Sequence, residues 1–327
     1  MRAFDYEKPS MDADAIRAGR AAGARFIAGG TLLVDLLRLD VEQPDLLVDL
    51  NGLPHAGLEV RADGLQIGAL VRNSDLAEHP AVIASFPALS QALLSGASPQ
   101  IRNMATVGGN LLQRTRCSYF RDVLVGACNK RQPGSGCAAL GGYSRMHAVL
   151  GVSDQCIAAH PSDMCVALLA LDAIVHTSGP RGERAIPLGD FHALPGAHPE
   201  IESVLEAGEI VTHISLTESE LAKHSAYVKA RDRASYAFAL ASAAAGLELE
   251  GNLVRKARVA LGGVGSKPWR CQEVELALLG KPATAESFSA AAALAMRDAK
   301  TTGDNQFKVG LARSVIARAL SLAGART

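Results

Sequence analysis

Arg25-Phe-Ile-Ala-Gly-Gly-Thr31 and Arg102-Asn-Met-Ala-Thr-Val-Gly-Gly-Asn110 are the two stretches on which the reading of this chain turns. In the first, a short apolar strand runs into a double glycine. Leu32 to Leu39 then carries apolar residues at helical spacing, with Thr31 as the expected N-cap. Glycines let a backbone approach a phosphate closely, and a following helix offers free N–H groups with partial positive charge. Paired glycines at a strand-to-helix turn are also common as plain structure. The pattern is not G-x-G-x-x-G, which sets aside a dinucleotide-binding Rossmann reading. In the second stretch the double glycine follows Val107 and is flanked by Thr106 and Asn110, whose side chains can hydrogen-bond a polar ligand. Two such turns in one domain favour a shared, extended ligand.

Working outward, Asp45–Leu50 reads as a second strand, closed by Asn51-Gly52, and Leu58–Leu70 as a hairpin around Ala62-Asp63-Gly64. Asp75–Leu94 predicts one or two helices. Ser162–Asp172 predicts a helix, Ala173–Ile186 a hairpin over Gly179–Gly182, and Ile210–Leu216 a strand. A boundary falls near residue 222. Beyond it come strands at Ala226–Ala230, Phe238–Leu249 and about Ala257–Leu261, then two helices at about Glu273–Leu279 and Ala285–Ala299, and Asn305–Ala323 closes the chain. The expectation is a mixed α+β chain, with a two-part domain over 1–222 and a smaller α/β domain over 223–327.

The chain has 327 residues, and 48% hydrophobic residues supply a core for roughly two domains. Its 33 basic and 33 acidic residues cancel, and only 4% are aromatic, which argues against nucleic acid as a partner. The longest apolar run, Ala237–Leu247, is about half of the ~20 residues a bilayer requires, so membrane insertion is not expected. Met1–Ala15 meets acidic residues at once and has no apolar signal core. Such a chain reads as cytoplasmic, or as periplasmic if it is exported folded beside a signal-bearing partner. Gly262-Gly-Val-Gly-Ser-Lys267 fails the frame of a phosphate-binding P-loop, and no Ser/His/Asp set suggests a nucleophile.

Five of the six cysteines, Cys117, Cys128, Cys137, Cys156 and Cys165, fall within about fifty residues. Without a signal segment, such clustering points to metal ligands or buried thiols rather than disulfides. The spacing C-x10-C-x8-C-x18-C over Cys117 to Cys156 is not the tight C-x2-C of zinc knuckles or ferredoxins. Yet Cys128 and Cys137 bracket Asn129-Lys-Arg-Gln-Pro-Gly-Ser-Gly136, a basic, irregular loop in which burial gives thiols no reason to collect. A loop this long (about 112–160) needs something to order it. Incidental core cysteines remain the other reading, and it suits Cys165 and Cys271 best.

Taken together, Ala28-Gly-Gly-Thr31, Arg102 to Asn110, Pro161-Ser-Asp163 and Lys229 resemble the FAD-binding medium subunits of the xanthine dehydrogenase/aldehyde oxidoreductase family. Leu261-Gly-Gly-Val-Gly-Ser-Lys-Pro-Trp-Arg270 is similar to their C-terminal domain, so the resemblance spans the chain. Arg116-Cys-Ser-Tyr-Phe-Arg-Asp122, Cys128-Asn-Lys-Arg131 and Pro133-Gly-Ser-Gly-Cys137 resemble the bacterial aldehyde oxidoreductase subunits that carry a [4Fe–4S] cluster beside the flavin.

That resemblance implies a two-part FAD-binding domain of the PCMH/vanillyl-alcohol-oxidase type. It implies FAD held by Phe26, Ile27, Ala28, Gly29, Gly30, Thr31 and Leu32, with the pyrophosphate on the amides of Ala28 to Leu32. Thr106, Gly109 and Asn110 are implied to hold a further part of the cofactor. Ser162 and Asp163 join the site, with Asp163 accepting hydrogen bonds from ribose or adenine. Lys229 is placed beside the isoalloxazine, where positive charge favours the anionic reduced flavin. Cys117, Cys128, Cys137 and Cys156 are the implied cluster ligands, and no catalytic residue lies on this chain. A large molybdenum-cofactor subunit and a small [2Fe–2S] subunit are the implied partners, and an external acceptor takes the electrons from FAD. Two other readings stay open: a self-contained flavoenzyme acting on its own small substrate, as in the enolpyruvyl reductases, and a non-catalytic iron–sulfur sensor.

Overall fold

The computed structural model describes residues 1–325 as three sheets and their covering helices. Strands β1 (Asp5–Glu7), β2 (Ala24–Ile27) and β3 (Leu46–Asp49) form a parallel sheet in the order β1-β3-β2. Parallel pairing requires crossovers, supplied here by the helices Asp12–Gly19 and Leu33–Arg38. The second of these lacks the expected cap: Leu32, not Thr31, precedes it, and no side chain bonds its first turn. Gly30, at φ +70°, turns the chain so that Thr31 lies against a cavity instead.

Strands β4 (Leu58–Arg61), β5 (Gly64–Gly68), β6 (Ile174–Gly179), β7 (Gly182–Pro187) and β8 (Ile210–Thr217) form an antiparallel sheet, ordered β4-β5-β8-β6-β7. One face of it packs Ile67, Val175 and Ile214 against Leu76, Leu89 and Leu168 of the helices. Asp75–Leu94 is not one or two helices but parts of three, Asn73–Glu78, Pro80–Ser85 and Pro87–Ser95. Each proline opens a new helix and drives the residue before it out of the α region, which leaves His79 at ψ 128° and Phe86 at ψ 52°. The second glycine stretch likewise folds into two short helices, Pro99–Met104 and Val107–Leu111.

Strands β9 (Ser225–Ala230), β10 (Ala241–Glu250), β11 (Leu253–Gly262) and β12 (Trp269–Arg270) make the last sheet, antiparallel in the order β12-β11-β10-β9. The alanines of β10 divide by parity. Ala243, Ala245 and Leu247 join the core beneath the helix Phe307–Gly324, while Ala244 joins the core of the preceding sheet. Small residues on both faces let two layers close on one strand. The helix Asp163–Ala170 packs there so closely that a Cβ on Gly262 would lie 2.4 Å from Val166. Among the described residues no helix is long and apolar enough to cross a membrane.

Between Leu112 and Pro161 the chain is irregular apart from one turn of helix, Ser118–Arg121. Polar contacts order it. Arg131 donates to the carbonyls of Tyr119 and Phe120, both at 2.9 Å, and Asn129 and Gly136 bond reciprocally at 2.7 and 2.8 Å. Lys130 reaches Pro199 O at 2.7 Å, and Val149 N–H reaches Val264 O at 2.8 Å, so the loop is pinned to both halves of the chain.

Candidate cofactor-binding site

Three cavities with shared walls run along the junction of the sheets. The first, about 560 Å³, is lined by Phe26 through Leu33 together with Thr106, Gly108 and Gly109. Both glycine turns therefore face one space. The N–H groups of Gly29, Gly30 and Thr31 find no acceptor among the described residues, a concentration of orphan donors that suits a phosphate-bearing ligand. The glycines differ in purpose. A Cβ on Gly29 would lie 2.0 Å from Met104 O, where the two turns touch, whereas Gly30 is needed for its positive φ and has more room. Thr106 caps its short helix by accepting from Gly109 N–H at 3.2 Å.

Two residues that the sequence reading passed over set this geometry. Asn51 donates to Ala28 O at 3.0 Å and to Asp49 Oδ1 at 2.6 Å, and Arg72 donates to Met104 O, so each turn is held by a side chain from elsewhere. Burial pushes the Asp49 carboxyl up, but the bonds from Tyr6 and Asn51 outweigh it and hold it below its usual range. The signal available was Asn51 itself, at the end of β3, though nothing local tells a clamp from a turn. At the far rim Arg114 pairs with both Glu42 and Glu202, and these carboxylates outweigh burial to hold the guanidinium above its ordinary value.

The second cavity, about 260 Å³, shares Leu112, Arg114 and Lys130 with the first and contains Cys156, His160 and His192. The histidines, scattered in sequence, meet here edge-on with ring centroids 4.6 Å apart. Burial pushes both below the ordinary imidazole range, His192 to about 4. His160, Cys165 and His192 also bring one donor atom each within 4.8 Å of one another. The third cavity, about 370 Å³, is lined by Cys117, His147, Ser162, Asp163 and Phe238. Ser162 Oγ donates to Asn110 Oδ1 at 2.8 Å, which ties the second glycine stretch to the wall of this cavity.

Asp163 and Lys229, expected to serve different parts of the cofactor, form one buried ion pair instead. Lys229 Nζ lies 2.7 Å from Asp163 Oδ2 and donates to Ser95 O at 3.0 Å, while Tyr227 OH donates to Asp163 Oδ1 at 2.5 Å. The reason is strand parity. Tyr227 and Lys229 stand two apart on β9 and reach the same carboxylate at the start of the helix Asp163–Ala170. Asp163 thus lines the cavity with both oxygens already engaged, and Lys229 stands behind it rather than in the lining.

The fold gathers Cys117, Cys128, Cys137 and Cys156 around one small cavity, with Cys128 and Cys137 opposed in an antiparallel bridge. All four are free thiols. Burial pushes Cys117 up to about 12, opposed by backbone N–H groups of Phe120 and Tyr119 aimed at its sulfur. Burial also raises Cys156, opposed by Lys130 and the N–H of Ala158. No three of these sulfurs belong to a donor group within 4.8 Å, whereas a single tetrahedral ion at Zn–S ~2.3 Å needs sulfurs about 3.8 Å apart. Four converging thiols are a donor set chemically suited to an iron–sulfur group. Cys165 and Cys271 lie in the two main cores, fully buried.

Paired glycine turns over an extended cavity, joined to an antiparallel C-terminal sheet, are the architecture of a flavin-binding subunit. Residues 2–217 match the FAD binding domain in molybdopterin dehydrogenase, and residues 225–323 the CO dehydrogenase flavoprotein C-terminal domain. The chain belongs to the family of FAD-binding medium subunits of the molybdenum hydroxylases. It is 50% identical over 330 residues, covering all of both chains, to the aldehyde oxidoreductase FAD-binding subunit PaoB of Escherichia coli K12. It is 28% identical to the carbon monoxide dehydrogenase medium chain of Hydrogenophaga pseudoflava, covering 99% of this chain and 98% of that one. A solved structure of that dehydrogenase, lacking the Mo-pyranopterin moiety, superposes with a TM-score of 0.78 at 26% identity, covering 99% of this chain and 98% of the other.

Proposed function

We propose that this chain is the electron-transfer subunit of a heterotrimeric molybdenum hydroxylase that oxidises aldehydes, with FAD along the three cavities and a [4Fe–4S] cluster on Cys117, Cys128, Cys137 and Cys156. Full-length similarity to an aldehyde oxidoreductase subunit supports the substrate class. The observation that carries the reading is the convergence of two glycine turns on one cavity, the first with the unpaired amides of Gly29 to Thr31, together with four thiols gathered around a neighbouring one.

Bound FAD supplies a carrier that can take electrons singly from iron–sulfur centres and release them in pairs to an external acceptor. The residues of this chain do the rest. The amides of Gly29 to Thr31 offer hydrogen bonds to the pyrophosphate, and Asn51 and Arg72 keep both turns in place. Asp163, fixed by Tyr227 and Lys229, makes a rigid polar wall in the third cavity, beside Phe238. Similarity to the FAD subunit of an aldehyde oxidoreductase and to a dehydrogenase medium chain supports assigning the substrate chemistry to a large molybdenum subunit, linked to this one through a small [2Fe–2S] subunit. The division into a FAD-binding part (1–222) and a C-terminal part (223–327) belongs to the same reading.

The test is direct. The purified chain should be yellow, absorbing near ~450 nm as oxidised flavins do, and should hold about four irons, as a [4Fe–4S] centre requires. It should show no aldehyde turnover until both partners are added. Turnover by the chain alone would establish the self-contained flavoenzyme instead.

A further inference from the structure

His147 is placed where the cysteine cavity and the third cavity meet. Its Nε2 lies 3.1 Å from Cys117 Sγ. The residue is only 4% exposed, its ring lies tilted against Tyr119, and its Nδ1 has no partner. The backbone behind it is fixed from the C-terminal side. His147 N–H reaches Ser144 O at 2.9 Å, and Ser144 bonds with both Thr302 and Asp304. Cys117 is also the one of the four thiols that lines the cavity beside Asp163.

A thiol could donate to this ring or accept from it. A thiolate bound to iron has no proton left, so it only accepts, and the imidazole must then carry its proton on Nε2. We propose that His147 is a positioning residue for the iron–sulfur centre, donating an Nε2–H···S hydrogen bond to Cys117 that favours the reduced centre. This rests on the cluster reading given above. Reduction adds negative charge around the sulfurs, and an N–H dipole aimed at one of them stabilises that charge, one of the means by which proteins set cluster potentials. Cys128 and Cys137 have no such imidazole, so the bias falls on the ligand nearest the third cavity.

The experiment compares the unmodified full chain with His147→Leu and His147→Gln. Iron and FAD are counted first, and dithionite reduction of the cluster is then followed by electron paramagnetic resonance. His147→Leu should keep its FAD and lower the reduced-to-oxidised ratio at fixed poise about tenfold, a midpoint about 59 mV lower for a one-electron couple. His147→Gln keeps an N–H donor and should fall between the two. If Leu loses the iron and Gln retains it, the donor itself is required and the inference stands. Equal iron loss in both, or midpoints matching the unmodified chain, would overturn it. Iron missing from the unmodified chain would instead remove the cluster reading, which the first count reports separately.

Discussion

The glycine turns and the cysteine loop are built by opposite means. At the turns the backbone is what faces the cavity: Gly29 to Thr31 present bare amides, and Asn51 and Arg72 hold the turns from behind. In the loop the side chains converge, and the backbone bonds through Arg131, Asn129 and Lys130 serve to bring four distant sulfurs together. The first device rests on glycines at the turns and on the distant side chains that clamp them. The second depends on thiols at four positions spread over forty residues, brought together by the polar contacts of the intervening chain.

The comparison breaks most severely at Gly29. A side chain there would enter Met104 O, and backbone cannot swing aside as a side chain does. Gly29→Val should abolish FAD content in the purified protein, read from the flavin absorbance after gel filtration. Gly30→Ala meets only side chains, Val34 at 3.3 Å and Ile27 at 3.7 Å, and incurs mainly the positive-φ penalty of about 1–2 kcal/mol, so it should bind FAD roughly five- to thirtyfold more weakly. Equal loss in both would mean that the turns do not meet as described.

Cys137→Ser tests the opposite device. It should lose most of its iron and loosen the loop, because metal binding and folding of a ligating segment are coupled. FAD should be largely retained, since Cys137 lines none of the three cavities. Cys271→Ser, buried in the C-terminal core, should change neither. Iron analysis and flavin absorbance on the same samples separate the two regions.

The two regions were also unequally legible. Alternation and turn chemistry revealed most strands, and the double glycines marked the cavity, because both signals are local. The four cysteines were visible as a group, but their spacing alone left metal ligation open; only the fold brings them around one cavity. Asn51, Arg72 and His147 could not be read at all, since each acts on a partner 21 to 32 residues away. The Asp163–Lys229 pair shows the same limit from the other side. Both residues were singled out from motif content for separate roles, yet strand parity on β9 brings them together as one buried ion pair.

That pair supplies the next test. Lys229→Ala would leave Asp163 buried beside Tyr227 without its counter-charge, and breaking a buried pair from one side costs about 3–5 kcal/mol. Chemical denaturation should show that loss. Lys229→Ala with Asp163→Asn should recover part of it, because the uncompensated charge is then gone. A single variant as stable as the unmodified chain would show that the carboxylate is not held as a charge.

The smallest effect concerns His192, which joins the second glycine stretch to the middle cavity by bonding Leu111 O at 2.9 Å. Burial holds this imidazole neutral and brings its pKa down to about 4, against an ordinary 6.5. The folded state therefore binds its proton less readily than the unfolded chain does. Stability from this group is whole above pH ~6.5, declines as pH falls because the unfolded state takes up the proton first, and is lost by pH ~4. Two and a half units correspond to about 3 kcal/mol across that window. His160, depressed in the same direction, adds to the slope. His192→Phe keeps the bulk and removes the titration, so its melting temperature should fall less steeply between pH 6.5 and 4.5 than that of the unmodified chain. It should also be lower at pH 7.5, where Leu111 O has lost its donor. Parallel curves over the acid range would mean that His192 titrates normally and that the wall between the glycine turns and the cysteine loop admits water.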